Sequence, residues 1–154
     1  EYSAIAMDLN GNIKGRYTGS ATDEFGTGTS NTTNDILGFA LDMDNKAFYI
    51  HKNGVYLSNG SAVGVPTSGS SRTGSIIEGL AGSRDDYVPA GEFMFPVVQD
   101  VSTTGTSKAE FNFGNGFFGT TEITSAGENA SNLGRFEYDV PTGYTALCTK
   151  GLNL

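Results

Sequence analysis

The sequence predicts an all-β protein, and three observations carry that prediction. Apolar residues come in short runs of strand length, several of them alternating with polar residues at a period of two. Stretches rich in Gly, Ser, Thr and Asn separate the runs; the 22 glycines are the punctuation of a sheet protein with many turns. No stretch shows helical periodicity bounded by caps, and no internal repeat is visible. Many short strands joined by Gly-rich turns close as a sandwich or a barrel. At 154 residues the chain is one domain by size. A chain of this length buries roughly 70% of its unfolded surface, enough for a real core.

Taken in order, residues 2–7 are expected as a strand, Asn10-Gly11 as a tight turn, and residues 13–17 as the returning strand. Residues 18–34 read as a long loop with one short strand around Phe25. The organising stretch is 35–57, DILGFALDMDNKAFYIHKNGVYL. An apolar run, 36–41, meets the turn-favouring Asp42-Met43-Asp44-Asn45. A second run, 47–52, alternates, with Phe48 and Ile50 on one face and Ala47, Tyr49 and His51 on the other. Asn53-Gly54 tolerates positive φ and is the strongest short-range hairpin signal. The stretch therefore predicts a three-strand antiparallel meander.

Beyond it, residues 58–73 read as a surface loop of low apolar content, and 75–80 as either a strand or a helical turn. Pro89 breaks any regular element over 84–92. Residues 93–98 and 108–113 read as strands, the second with Ala109, Phe111 and Phe113 on one face. Residues 102–107 are a turn-rich link and 117–135 an insertion-like loop; 136–140 and 144–148 are short strands. A buried ring such as Phe111 would cost roughly 3–5 kcal/mol to delete.

Four motifs, in order, resemble a known family. GFALDMDNKAFYIHKNGVYL is similar to the central hairpin of SPRY domains; FPVVQD, at 95–100, and AEFNFG, at 109–114, resemble two later strands of that family. The tail PTGYTALCTKGL, at 141–152, resembles the ending of SPRY-like segments in bacteriophage structural proteins. The resemblance implies a two-sheet antiparallel β-sandwich of the concanavalin-like, jelly-roll kind with long surface loops, as a single domain over 1–154. It also implies a C-terminal segment of a longer protein, whose first strand lies upstream or comes from another chain.

Composition narrows the partners. Nine Lys and Arg against 17 Asp and Glu give a formal charge of −8. A phosphate-backbone partner needs clustered basic residues, and these are scattered, so nucleic acid is not expected. No apolar run approaches the roughly 20 residues of a spanning helix, so no membrane partner is expected. The single Cys148 has no internal disulfide partner and reads as a buried, inert thiol.

Candidate chemistry is sparse. His51, the single histidine, reads as a surface residue beside Tyr49, without a nucleophile and an orienting carboxylate to make it a base. Jelly-roll glycosidases often resemble the pattern E-x-D-x-x-E on one strand, because retaining carboxyls must stand about 5–5.5 Å apart. Here Glu137-Tyr138-Asp139-Val140-Pro141-Thr142 lacks the last Glu. Asp8-Leu9-Asn10-Gly11-Asn12 begins like a calcium loop but lacks its later Gly and bidentate Glu. Asp42 and Asp44 read as turn formers. The glycines over 114–119 lack the Lys-Ser/Thr of a phosphate loop. No catalytic residue, metal site or cofactor is assigned.

The resemblance then implies a non-catalytic binding or assembly module of a virion protein, a tail fibre or another exposed component. It would meet a host-surface glycan or a neighbouring virion protein through loops 18–34, 58–71 and 117–135. A homo-oligomer in the assembled particle is left open. Tyr17, Tyr56, Asp86 and Tyr87 are the candidate contacts, since tyrosines stack on sugar rings and carboxylates bind their hydroxyls. The alternative is a lectin-like or carbohydrate-active domain on the same fold.

Overall fold

A computed structural model describes residues 3–98, 108–124 and 133–147. The chain divides into two compact units, Glu1–Glu92 and Phe93–Leu154, where size alone predicted one domain.

The first unit holds two antiparallel three-stranded sheets. In one, β1 (Ser3–Met7), β2 (Asn12–Tyr17) and β3 (Asp23–Gly26) run in that order. The β1–β2 turn is set by Asp8, whose Oδ1 accepts the main-chain N–H groups of Asn10 and Asn12, each at 2.9 Å. Gly11 takes φ 79°, and a Cβ there would lie 1.7 Å from the Thr29 carbonyl oxygen. In β2, Gly15 clears space of a different kind: an added Cβ would meet Leu80 at 2.6 Å and Tyr87 at 2.7 Å.

The second sheet is the predicted meander: β4 (Leu37–Asp42), β5 (Ala47–Lys52) and β6 (Val55–Tyr56). Asp42 closes the β4–β5 turn by accepting from the Asn45 N–H at 2.9 Å and side-chain amide at 2.8 Å. Asn53 and Gly54 both take positive φ, 50° and 83°, as a tight hairpin turn requires.

Between the meander and Glu92 the chain forms short helical turns, a 3-10 turn over Pro66–Ser71, another over Ile76–Gly79, and one α-helical turn, α1, over Arg84–Tyr87. The alternatives at 75–80 thus resolve to a helical turn. The expectation of no capped helix is corrected at α1. Ser83 Oγ accepts from the Asp85 N–H at 3.2 Å, and Asp86 Oδ2 accepts from the Ser83 N–H at 2.7 Å, a reciprocal cap.

The core joins Ile13 of the first sheet and Ile50 of the second with Leu57, Ile76, Ile77, Leu80, Tyr87 and Val88. More than half of these come from the helical-turn segment, so each sheet buries apolar side chains with it. β5 is covered on both faces: Ile50 lies in this core, and Ala47 and Tyr49 are also buried. The loop at 58–73 does the second covering. Gly64 sits on the Tyr49 ring, Pro66 is buried, and the Tyr49 and Ser68 hydroxyls are 3.4 Å apart. That corrects its reading as a mere surface loop.

The second unit contains a short hairpin, β7 (Phe117–Phe118) with β8 (Thr121–Glu122). Asn112 pins its loops: Oδ1 accepts from the Gly114 and Gly116 N–H groups, and Nδ2 donates to the Arg135 carbonyl at 2.9 Å. Ile123, Leu133 and Ala146 are buried. The expected strands over 93–98 and 108–113 carry no ladder, nor do 136–140 and 144–147 form named strands. Phe111, expected inside, is 44% exposed and stacks on Phe113 at 5.5 Å. Residues 99–107, 125–132 and 148–154 lie outside the described residues, and with them the rest of FPVVQD, the link at 102–107, Cys148 and the end of the tail motif. The protein is therefore β-rich, with antiparallel sheets and few helical residues.

Candidate functional site

Three of the four predicted contact residues meet at one corner of the first unit. Tyr17 ends β2, and its ring stands edge-on to Tyr87, centroids 5.4 Å apart at 90°. Gly82 passes beneath Tyr17. A Cβ there would come within 3.0 Å of Cε1, 3.2 Å of the hydroxyl oxygen and 3.4 Å of Asp86 Oδ2. Asp86 is held by the cap of α1. Asp23 accepts the Ala81 N–H and so ties β3 to the same turn.

Tyr87 is not available as a stacking surface. It is 0% exposed, and its hydroxyl donates to the Ala81 carbonyl at 2.5 Å. Burial, then the Asp23 charge, pushes its ionisation above the ordinary tyrosine value. The apolar Leu80, Tyr87 and Val88 draw the chain inward at both ends of this segment. Tyr17 remains half-buried, with Asp86 beside it.

Tyr56 belongs to the other sheet. It packs edge-on against His51, centroids 5.5 Å apart at 80°. His51 is half-buried, a correction of its surface reading, because β5 is covered on both sides. It lies over Gly38, where an added Cβ would be 1.8 Å from Nε2. Nδ1 accepts from the Gly54 N–H at 3.2 Å, so the neutral ring carries its proton on Nε2. Burial holds the imidazole below its usual pKa and pushes the Tyr56 phenol up to about 12.

Several acidic groups have structural partners. The Lys14 ammonium lies 3.2 Å from Asp8 Oδ2 and supplies the positive charge at the calcium-like turn. Asp35 receives Lys52 at 2.7 Å, the Thr32 N–H at 2.7 Å and Asn53 Nδ2 at 2.8 Å; Lys52 chiefly, then Thr32 and Asn53, hold its pKa well below the carboxylate range. Both oxygens of Glu137 accept from Thr124, one from its N–H at 2.7 Å and the other from its hydroxyl. Among the described residues no three His, Cys, Asp or Glu side chains gather as a metal site.

The three predicted contact loops differ in kind. Loop 18–34 is tied back to the β1–β2 turn, with the Thr27 hydroxyl donating to the Gly11 carbonyl at 2.8 Å and Asn31 Nδ2 to the Asp8 carbonyl at 2.9 Å. Loop 58–71 covers β5. Of 117–135, the described part is the small hairpin and the Arg135 bridge to Asn115.

Two separate features outside all of these stand out, one in each unit. In residues 93–98, FMFPVV, Phe93 is 91% exposed, Phe95 77% and Val97 71%. On β4, Phe39 is 58% exposed, and among the described residues no strand pairs with the outer side of β4. The apolar run was visible in the sequence; that it would find no sheet to join among the described residues was not. Comparisons with protein-family models, with curated proteins and with solved structures found no significant match.

Proposed function

We propose that this chain is a non-catalytic binding and assembly module, of the kind its SPRY-like motifs suggest for an exposed bacteriophage virion protein. The observation that carries the assembly reading is the apolar run at 93–98, which lies in water. Isolated apolar residues on a surface are ordinary, but a contiguous run of large ones marks a contact face. The reading of no catalysis is supported by Glu137, whose carboxylate is spent on Thr124, and by His51, whose Nδ1 is spent on Gly54. In this reading rigid sheets hold irregular connections towards a neighbouring virion protein.

A second reading, a lectin-like domain, draws on the corner where Tyr17 overlies Gly82 beside Asp86. Mass spectrometry of purified particles from the source, together with a glycan array run with and without chelator, separates the two. The assembly reading expects the chain as a stoichiometric particle component, with no chelator-sensitive sugar binding and no reducing ends released from a polysaccharide panel. Absence from particles, or release of reducing ends, overturns it.

A further inference from the structure

We infer that the partner of residues 93–98 is the open edge of β4 in a second copy of this chain, and that two copies exchange these segments reciprocally. The inference deepens the assembly reading by naming the partner.

Main-chain geometry defines the edge. The Asn53 N–H donates to the Ile36 carbonyl at 2.8 Å, and the Leu57 N–H donates to the Ile50 carbonyl at 2.9 Å. With the β4–β5 register, this turns the main-chain groups of Gly38, Ala40 and Asp42 towards β5. Those of Leu37, Phe39 and Leu41 therefore point to the open side. An unpaired edge of this length is a template for an added strand.

The segment matches it. Pro96 has no N–H to give, so its side of the strand must face away from the ladder. Phe93, Phe95 and Val97 then face β4, three residues against three. Antiparallel pairing sets Phe95 opposite Phe39, with Phe93 opposite Leu41 and Val97 opposite Leu37. Residues paired in this way share a face, so the Phe95 ring lies beside the exposed Phe39 ring. Pro96 on the outer side stops a further strand from adding, which favours a closed pair over a filament.

Charge and area point to a second copy. The chain carries −8, yet FMFPVV has no charge and β4 carries only Asp42, at its end. In this register the three central pairs are uncharged, and a single like-charged pair, Asp42 opposite Glu92 of the other copy, falls at the solvent-exposed end of the ladder, where screening weakens it. The segment leaves on the order of 500 Å² of apolar side chain in water, at about 150–250 Å² per aromatic ring. Reciprocal exchange covers two segments and two receiving edges, on the order of 2,000 Å², which a stable dimer requires. Each copy holds both halves of the contact, as a two-fold interface demands.

The test uses the whole chain. Light scattering is expected to give twice the chain mass, and Phe95→Asp is expected to weaken the dimer at least about tenfold, as loss of a central aromatic anchor does. Because Phe95 is exposed, its melting temperature as a monomer should not move. Mixing a Phe39→Cys copy with a Phe95→Cys copy under oxidation should give a 39–95 disulfide between copies, identified by mass spectrometry. Hydrogen-bonded antiparallel partners stand about 5.5 Å apart at Cα, within disulfide reach. A monomer at roughly 100 µM, a dimer indifferent to Phe95→Asp, or a 39–95 link that forms only inside a chain carrying both cysteines overturns the inference. Such a failure leaves particle composition, and so the assembly reading, untouched.

Discussion

The two units spend their apolar side chains in opposite ways. In Glu1–Glu92 a shared core forms: Ile13, Ile50, Ile76, Tyr87 and Val88 have almost no contact with water, while Phe39 and Val55 stay at the surface. In Phe93–Leu154 five of the seven described phenylalanines, Phe93, Phe95, Phe111, Phe113 and Phe117, are exposed, and the loops are fixed by polar bonds from Asn112 and Glu137. One unit is stabilised chiefly by removing apolar surface from water. The other relies more on side-chain hydrogen bonds to the main chain, each worth about 1 kcal/mol net.

The largest test of that contrast pairs two ring deletions. Tyr87→Ala removes a fully buried ring and leaves the Ala81 carbonyl without its donor, at a cost of about 3–5 kcal/mol. Phe111→Ala removes a ring that is already near half exposed, and should cost under about 1.5 kcal/mol as an isolated chain. Urea unfolding of both variants measures the difference. Equal costs would mean that Phe111 is covered in solution and that the contrast between the units is false.

Asn112→Ala probes the polar side of the comparison. It removes acceptors from the Gly114 and Gly116 N–H groups and a donor from the Arg135 carbonyl, for about 1–3 kcal/mol. Hydrogen exchange should show faster exchange at Gly114 and Gly116, while β2 and β5 keep their protection. Loss of protection across β5 would show that the two units unfold as one.

Ser83→Ala returns to the first unit and removes half of a reciprocal cap, at about 1 kcal/mol. Thermal melts measure it. A cost near zero would mean that the packing of Tyr87 and Val88 alone holds α1 in place.

What the sequence made legible follows the same division. The meander at 35–57 was readable because its pairing is local: Asn53-Gly54 forces one hairpin, and alternation in 47–52 sets the strand. The strand at Phe25 and the β1–β2 hairpin were readable for the same reason. The helical turns at 76–88 were not, since turns of one cycle are too short to show a period. Their one local signal is Ser83 followed three residues later by Asp86. The apolar run at 93–98 and the alternation at 108–113 predict strands, but a strand needs a neighbour, and neither pattern names one. Of the predicted contacts, Tyr17 and Asp86 do meet at a surface corner, while Tyr87 is drawn inside by neighbours invisible at the level of spacing.

The smallest expected effect concerns pH and the second sheet alone. His51 lies against Tyr56 and over Gly38, and burial lowers its pKa in the folded chain below the ordinary 6.5. The unfolded chain therefore binds a proton at a higher pH than the folded chain does. Stability from the neutral ring is complete above the unfolded value and is lost as pH falls through the folded one. Melting temperature should decline as pH drops below about 6.5, before the Asp35 carboxylate titrates. His51→Gln, which keeps a polar side chain but cannot gain the charge, should flatten that part of the curve. Asp35 acts in a separate window: its pKa is held low, so its contribution is present above the unfolded value near 3.9 and disappears only in stronger acid. A melting profile that is flat down to pH 5 in the unaltered chain would mean that His51 is open to water and does not lie over Gly38 against Tyr56.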